Sequence, residues 1–146
     1  MDSGISIVNL GIKEYTAVNP LNIDKDSNQG KITVEAAVKI EEAKHYIHVL
    51  LRVRMFIQQG NMDLVSIGLV NTETSFHVVE WDRYVRKVNE KIVIQSKMDS
   101  FLIAVSYDST RGLLRERGKN DLIGKVILPV ISPDEISRAN KSNELV

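Results

Sequence analysis

Residues 31–59, KITVEAAVKIEEAKHYIHVLLRVRMFIQQ, decide the fold. Ile32, Val34, Ala36, Val38 and Ile40 alternate with Lys31, Thr33, Glu35 and Lys39, and only Ala37 blurs the polar side. Successive side chains of a strand point to opposite faces, so strict alternation over nine residues marks a half-buried strand. Glu41, Glu42, Ala43 and Lys44 make a short polar connection. Ile47, Val49, Leu51, Val53, Met55 and Ile57 then line one face of a second run, with His48, Arg52 and Arg54 on the other. Gln58-Gln59-Gly60-Asn61 is a turn signal, which predicts a hairpin into the next strand.

The same period extends outward. Val65, Ile67 and Leu69 hold one face of a third run, and Phe76 and Val78 continue it in the opposite phase beyond 71–75. That phase change predicts a bulge or break in the polar interval. Upstream, residues 5–12 read as a fourth strand, set apart by Asn19-Pro20 and the polar loop 24–30.

The second half changes period. Met98, Phe101, Leu102, Val105, Gly112 and Leu113 share a face at helical spacing, and Ser96 to Asp99 has the form of a capping box. The helix ends by Gly118. Its start lies between 90 and 97, because Ile92, Val93 and Ile94 suit a short strand equally. Ser132-Pro133-Asp134-Glu135 is a helix-start signal, predicting a short helix from 133 to about 140 and then a flexible tail. Strands first and helices later give an α+β class. The expected architecture is one domain over 1–146, a four-stranded antiparallel sheet with a long helix and a short C-terminal helix on one face. The other face is then left with Tyr46, Leu50, Phe56, Leu64 and Val70, apolar groups that suit an oligomer interface.

Nineteen Lys plus Arg balance nineteen Asp plus Glu. Nucleic-acid binding draws on clustered basic residues, and the densest basic stretches, 83–91 and 111–119, are interrupted by Glu90 and Glu116. A net charge of zero also removes a protection against self-association. The absence of cysteine excludes disulfides, thiolate metal sites and a cysteine nucleophile. No apolar run approaches the roughly 20 residues of a spanning helix, and the first residues lack the basic start of a signal peptide. A cytoplasmic protein with neither a membrane nor a nucleic-acid partner is expected.

Few residues suggest chemistry. His45, His48 and His77 are the only candidates for a metal or general base, and no carboxylate spacing joins them into a ligand set. Gly112, Gly118 and Gly124 are too dispersed for a nucleotide fingerprint, and no serine sits in a nucleophile elbow. No cofactor, metal or catalytic residue is expected. Trp81 and Tyr84 have two readings: a cap on the core where sheet gives way to helix, or an amphipathic rim for an apolar segment of another chain.

The order of features resembles the SecB export chaperones and their wider SecB-like relatives over residues 5–136. The parts that carry it are Gly11-Ile12-Lys13-Glu14-Tyr15 followed by Asn19-Pro20, two alternating strands, and a third ending in Phe76. A long helix with Ser109-Thr110-Arg111-Gly112 follows, and then Leu128-Pro129-Val130-Ile131-Ser132 before the last helix. The resemblance implies a homo-oligomer, a dimer or dimer of dimers (a tetramer), that binds unfolded chains in long apolar grooves for folding or protein export. Of the sheet carboxylates that the export chaperones use to dock on the translocation motor, Glu14 retains one, while the others fall at Val18, Ile67 and Leu69. The Gly-Gly of the third strand is replaced by Thr74-Ser75, and the aromatic-proline element of the helix reads Ser109-Thr110. These departures argue against motor docking and for another client, such as an antitoxin.

The expected function is a polypeptide-binding chaperone that works without nucleotide hydrolysis, with Trp81, Tyr84, Leu113, Leu114 and Ile123 as client-groove candidates. The alternative is a structural or adaptor protein that keeps the sheet for oligomerisation and one specific partner. An enzyme would require a closed pocket of converging polar groups.

Overall fold

A computed structural model describes residues 4–17, 28–59, 65–117, 135–138 and 144–145. Four long strands come first: β1 (Ile5–Ala17), β2 (Asn28–Glu41), β3 (Tyr46–Gln59) and β4 (Val65–Val78). They form an antiparallel sheet in the order β1-β4-β3-β2. After β4 come a single helical turn, α1 (Trp81–Tyr84), a hairpin of β5 (Val85–Val88) and β6 (Lys91–Gln95), and the long helix α2 (Ser96–Arg117). Two short strands, β7 (Ser137–Arg138) and β8 (Glu144–Leu145), run parallel to β2 and β6 respectively.

The alternation read in the sequence is reproduced in the burial of β2 and β3. Val34, Ala36 and Val38 on β2 and every odd residue from Ile47 to Ile57 on β3 are buried. A 3-10 turn, Glu42–Lys44, joins the two strands and ends on His45 in the left-handed region at φ 57°. The His45 ring stacks on Trp81, centroids 4.8 Å apart, so that strained position is covered by an aromatic plane.

In β4 the phase change lies elsewhere than expected. The register shifts between Met55 and Phe56 of β3, which pair with Gly68 and Ser66, so Ile67 is the extra residue. From there on the even residues, Val70, Thr72, Thr74, Phe76 and Val78, face the core without a break through 71–75. Val70 stands opposite Val53 with no exposed surface and cannot belong to the outer face.

β1 follows the same logic with two slips. Its core-side residues Ile5, Ile7, Leu10, Ile12 and Tyr15 pair with Val78, Phe76, Thr74, Thr72 and Val70. Register shifts between Ile7 and Asn9 and between Ile12 and Glu14 make Val8 and Lys13 the bulge residues that keep the apolar set on one face.

The helix ends at Arg117, and the β-branched run Ile92 to Ile94 is strand, so the helix starts at Ser96. Its buried side is rotated from the expected one. Met98, Asp99, Leu102, Ile103, Ser106, Tyr107, Thr110 and Leu114 face inward, while Phe101 is 48% exposed and Gly112 is exposed. The true face is partly polar: the Ser106 hydroxyl donates to the Leu102 carbonyl, and Thr110 hydrogen-bonds Thr72 of β4 at 2.7 Å. Residues 133, 134, 139 and 140 of the expected final helix lie outside the described residues, whereas Ser137 and Arg138 within it are strand beside Glu35 and Ala36. Pairing with an open sheet edge overrides the local helix signal there. Among the described residues, no helix is long and apolar enough to cross a membrane.

Candidate functional site

The outer face of the sheet is built in cross-strand rows. Glu41, Tyr46, His77 and Ser6 form one; Lys39, His48, Ser75 and Asn9 the next; then Ala37, Leu50, Glu73 and Gly11; then Glu35, Arg52, Asn71 and Glu14. Neighbouring rows are tied together by polar contacts. The His48 Nε2–H donates to Glu41 at 2.9 Å, and His48 Nδ1 lies 2.7 Å from the Ser75 hydroxyl. Tyr46 meets the rings of His48 and His77 edge-on. Lower down, Asn71 accepts from the Arg52 Nε–H and donates to Glu14 at 2.9 Å.

Glu41, His48 and Ser75 are thus joined in the order acid, base, hydroxyl. The hydrogen bond from His48, helped by Lys44, holds the Glu41 carboxyl below its usual range against a weaker desolvation effect. Ser75 is 3% exposed and sits in a strand flanked by β1 and β3, whose ladders take up its backbone amides. The geometry therefore provides a hydrogen-bonded relay that ties neighbouring rows of this face together. Spacing along the chain could not reveal this relay, because its members come from three strands and meet only through the register.

This face is less apolar than expected. Tyr46, Leu50 and Phe56 do lie on it, each half-buried, but they are separated by the charged rows. Val70 is on the opposite face, and Leu64 lies outside the described residues.

Among the described residues, two of the exposed large apolar side chains are neighbours on β1, while Val65, Val79, Val88 and Phe101 stand apart from them in the chain. Ile7, opposite the buried Phe76, is 46% exposed, its bulge neighbour Val8 is 45% exposed, and Leu10 is half-buried. β1 is also the terminal strand of the sheet. Its far end is covered: the Arg117 guanidinium lies 4.3 Å over the Tyr15 ring. Alternation broken by two bulges hid this strip from sequence reading.

The groove candidates do not converge. Trp81 is 6% exposed and belongs to the core, as the first of its two readings expects. Tyr84 is half-buried under Arg83, whose guanidinium carbon is 5.3 Å from the ring. Leu114 is buried and Leu113 half-buried near the other end of α2. Trp81 follows the Val78 end of β4, whereas that end of α2 meets Tyr15, which pairs with Val70. At a rise of about 3.3 Å per residue, roughly 25 Å of strand lies between the two groups. Ile123 lies outside the described residues.

Among solved structures, the chain is similar to the SecB-like chaperone of Mycobacterium tuberculosis in complex with a ChAD peptide from an antitoxin. The TM-score is 0.65 at 14% identity, covering 88% of this chain and 90% of that one. A protein of unknown function from Streptococcus agalactiae aligns at a TM-score of 0.30 and 13% identity, over 88% and 94% of the two chains. No family model matches the sequence, and no curated protein matches it. The α+β fold, four antiparallel strands with a long helix after them, is shared with the mycobacterial structure.

Proposed function

We propose that this protein is a SecB-like polypeptide-binding chaperone, holding unfolded or aggregation-prone segments, an antitoxin-type client among them, without nucleotide hydrolysis. The observation that carries this reading is the apolar strip on β1, where Ile7 and Val8 stand side by side with nearly half their surface exposed among the described residues. The likeness to a chaperone solved with an antitoxin peptide supports it at the level of fold. Apolar surface is buried at roughly 25 cal/mol per Å2 with little regard to sequence, so a client gains affinity from composition more than from a motif. Ordering the client offsets much of that gain and keeps binding reversible. Among the described residues β1 ends the sheet, an edge that suits pairing with a second copy, and the reading includes a cytoplasmic homo-oligomer. Of the original groove candidates, Tyr84 and Leu113 retain surface for a client, and Trp81 serves as an interior reporter.

Aggregation of a chemically denatured test protein, followed by light scattering with and without this chain, tests the reading. Suppression near one chain per client supports it. Unchanged aggregation, together with a strictly monomeric species in sedimentation, overturns it.

A further inference from the structure

We propose that the edge of β2 and the buried carboxylate of Asp99 form a docking site for an extended peptide with an aliphatic residue two positions before an arginine, and that the chain's own Ile136-Ser137-Arg138 occupies it at rest. Ser137 and Arg138 pair with Glu35 and Ala36 over only two residues. Ile136 is 4% exposed within the core cluster, and the Arg138 guanidinium donates to the Asp99 carboxylate, the two side chains being 9% and 5% exposed. Side chains two apart along a strand share a face, and the burial of Ile136 and Arg138 makes that face the core side. One aliphatic and one guanidinium group are therefore what the site reads.

The elements around it suit that occupant. Ala36 is the smallest core-side residue of β2, set between Val34 and Val38, and it is the residue that stands in register with Arg138. Asp99 lies in the first turn of α2, where the helix dipole favours a negative charge. A planar guanidinium matches a carboxylate better than an ammonium does. The pairing of β7 with β2 spans two residues, against fourteen for the pairing of β2 with β3. A clasp that short opens without unfolding the sheet.

This site deepens the polypeptide-holding reading and rests on it for one point, that a client segment of the same pattern competes with the clasp. The probe is a fluorescently labelled peptide of residues 133–140, PDEISRAN, followed by anisotropy against the full chain and against R138Q. R138Q is expected to bind it at least tenfold more tightly than the wild type, because the competing segment in the same chain is disabled. Replacing Arg by Gln in the peptide, or using D99N/R138Q, is expected to remove at least tenfold of that affinity. Equal affinity for wild type and R138Q, indifference to the peptide's arginine, or no saturable binding overturns the proposal. Hydrogen exchange on the wild-type chain decides the matter if R138Q does not fold. Amides of Ser137 and Arg138 exchanging at least a hundredfold faster than those of β3 support a detachable clasp, and equal protection overturns it. Aggregation suppression by the wild type is read separately: its loss with peptide binding intact sinks only the chaperone reading, and the reverse result sinks only this site.

Discussion

Asp99 and Arg138, 39 positions apart in sequence, form an ion pair that is almost wholly screened from water and joins the first turn of α2 to β7. Removing one member of a buried pair in a closed core costs about 3–5 kcal/mol, because the other charge is left without compensation. Among the described residues, the strand that pairs Arg138 to the sheet is two residues long, so its release need not open the core. Arg138→Gln is therefore expected to lower stability in urea by only about 1–3 kcal/mol. Asp99→Leu with Arg138→Met, which leaves neither charge, should lose less than the sum of the two single changes. A loss for Arg138→Gln as large as that for a core cavity would place the pair inside the cooperative core.

The buried contact between Thr72 and Thr110 predicts an asymmetric result. With Thr72→Val, the Thr110 hydroxyl can turn back to the carbonyl four residues earlier in its own helix, at Ser106. With Thr110→Val, the Thr72 hydroxyl faces the core from a strand and loses the partner it has. Thr110→Val is expected to cost about 1–3 kcal/mol, Thr72→Val about 1 kcal/mol or less, and the double valine variant little more than the smaller of them. A thermal unfolding series of the four proteins measures all three.

The hairpin between β5 and β6 turns on Asn89 and Glu90, with φ of 51° and 66°. Positive φ at both central positions is the signature of a type I′ turn, for which the favoured pair is Asn-Gly. Asn tolerates that region and Glu pays a steric penalty in it. Glu90→Gly is expected to stabilise the protein by about 0.5–1 kcal/mol, raising the thermal midpoint by a few degrees. An unchanged or lowered midpoint would contradict the turn geometry.

Glu41 makes the acid side of the stability profile readable. Its carboxyl is held below the usual 4.5 by the hydrogen bond from His48, with help from Lys44. A carboxyl whose pKa is lower in the folded than in the unfolded chain contributes stability above the unfolded value. That contribution is lost as pH falls through the folded one. Glu41→Gln should flatten the fall in unfolding midpoint below about pH 4.5. His48→Ala should move the Glu41 titration, followed by carboxyl NMR, back up toward its usual range.

The legible parts of this fold are those in which one physical signal dominates. β2 and β3 read correctly because their alternation is uninterrupted, and the core face of β3 is apolar at every odd position from Ile47 to Ile57. β4 misled because one bulge residue, Ile67, is itself buried, so the phase of 65–69 was carried one step too far. The face of α2 was misjudged because its inward positions include Asp99, Ser106 and Thr110, whose partners Arg138, Leu102 and Thr72 are not visible as a periodic pattern. The β5–β6 hairpin went unread since Asn-Glu is not a turn signal, and the final helix signal was overruled by a sheet edge that only the folded chain provides. The acid–base–hydroxyl relay of Glu41, His48 and Ser75 required knowing the register of three strands.

The strip on β1 can be told apart from general surface greasiness by position. Ile7 and Val8 are 46% and 45% exposed, and Val88, on the hairpin, is 44% exposed. Changing residues this exposed to lysine typically alters stability by no more than about 0.5–1 kcal/mol, so all the variants should fold. If client segments dock on the bare strand, Ile7→Lys with Val8→Lys removes most of the aggregation suppression, because two charges then sit where apolar side chains must be buried. Val88→Lys, equal in exposure and in the charge it adds per site, should leave suppression intact. Equal loss in both proteins would mean that net charge, rather than the β1 strip, governs holding. No loss in either would move the client surface away from this strand altogether.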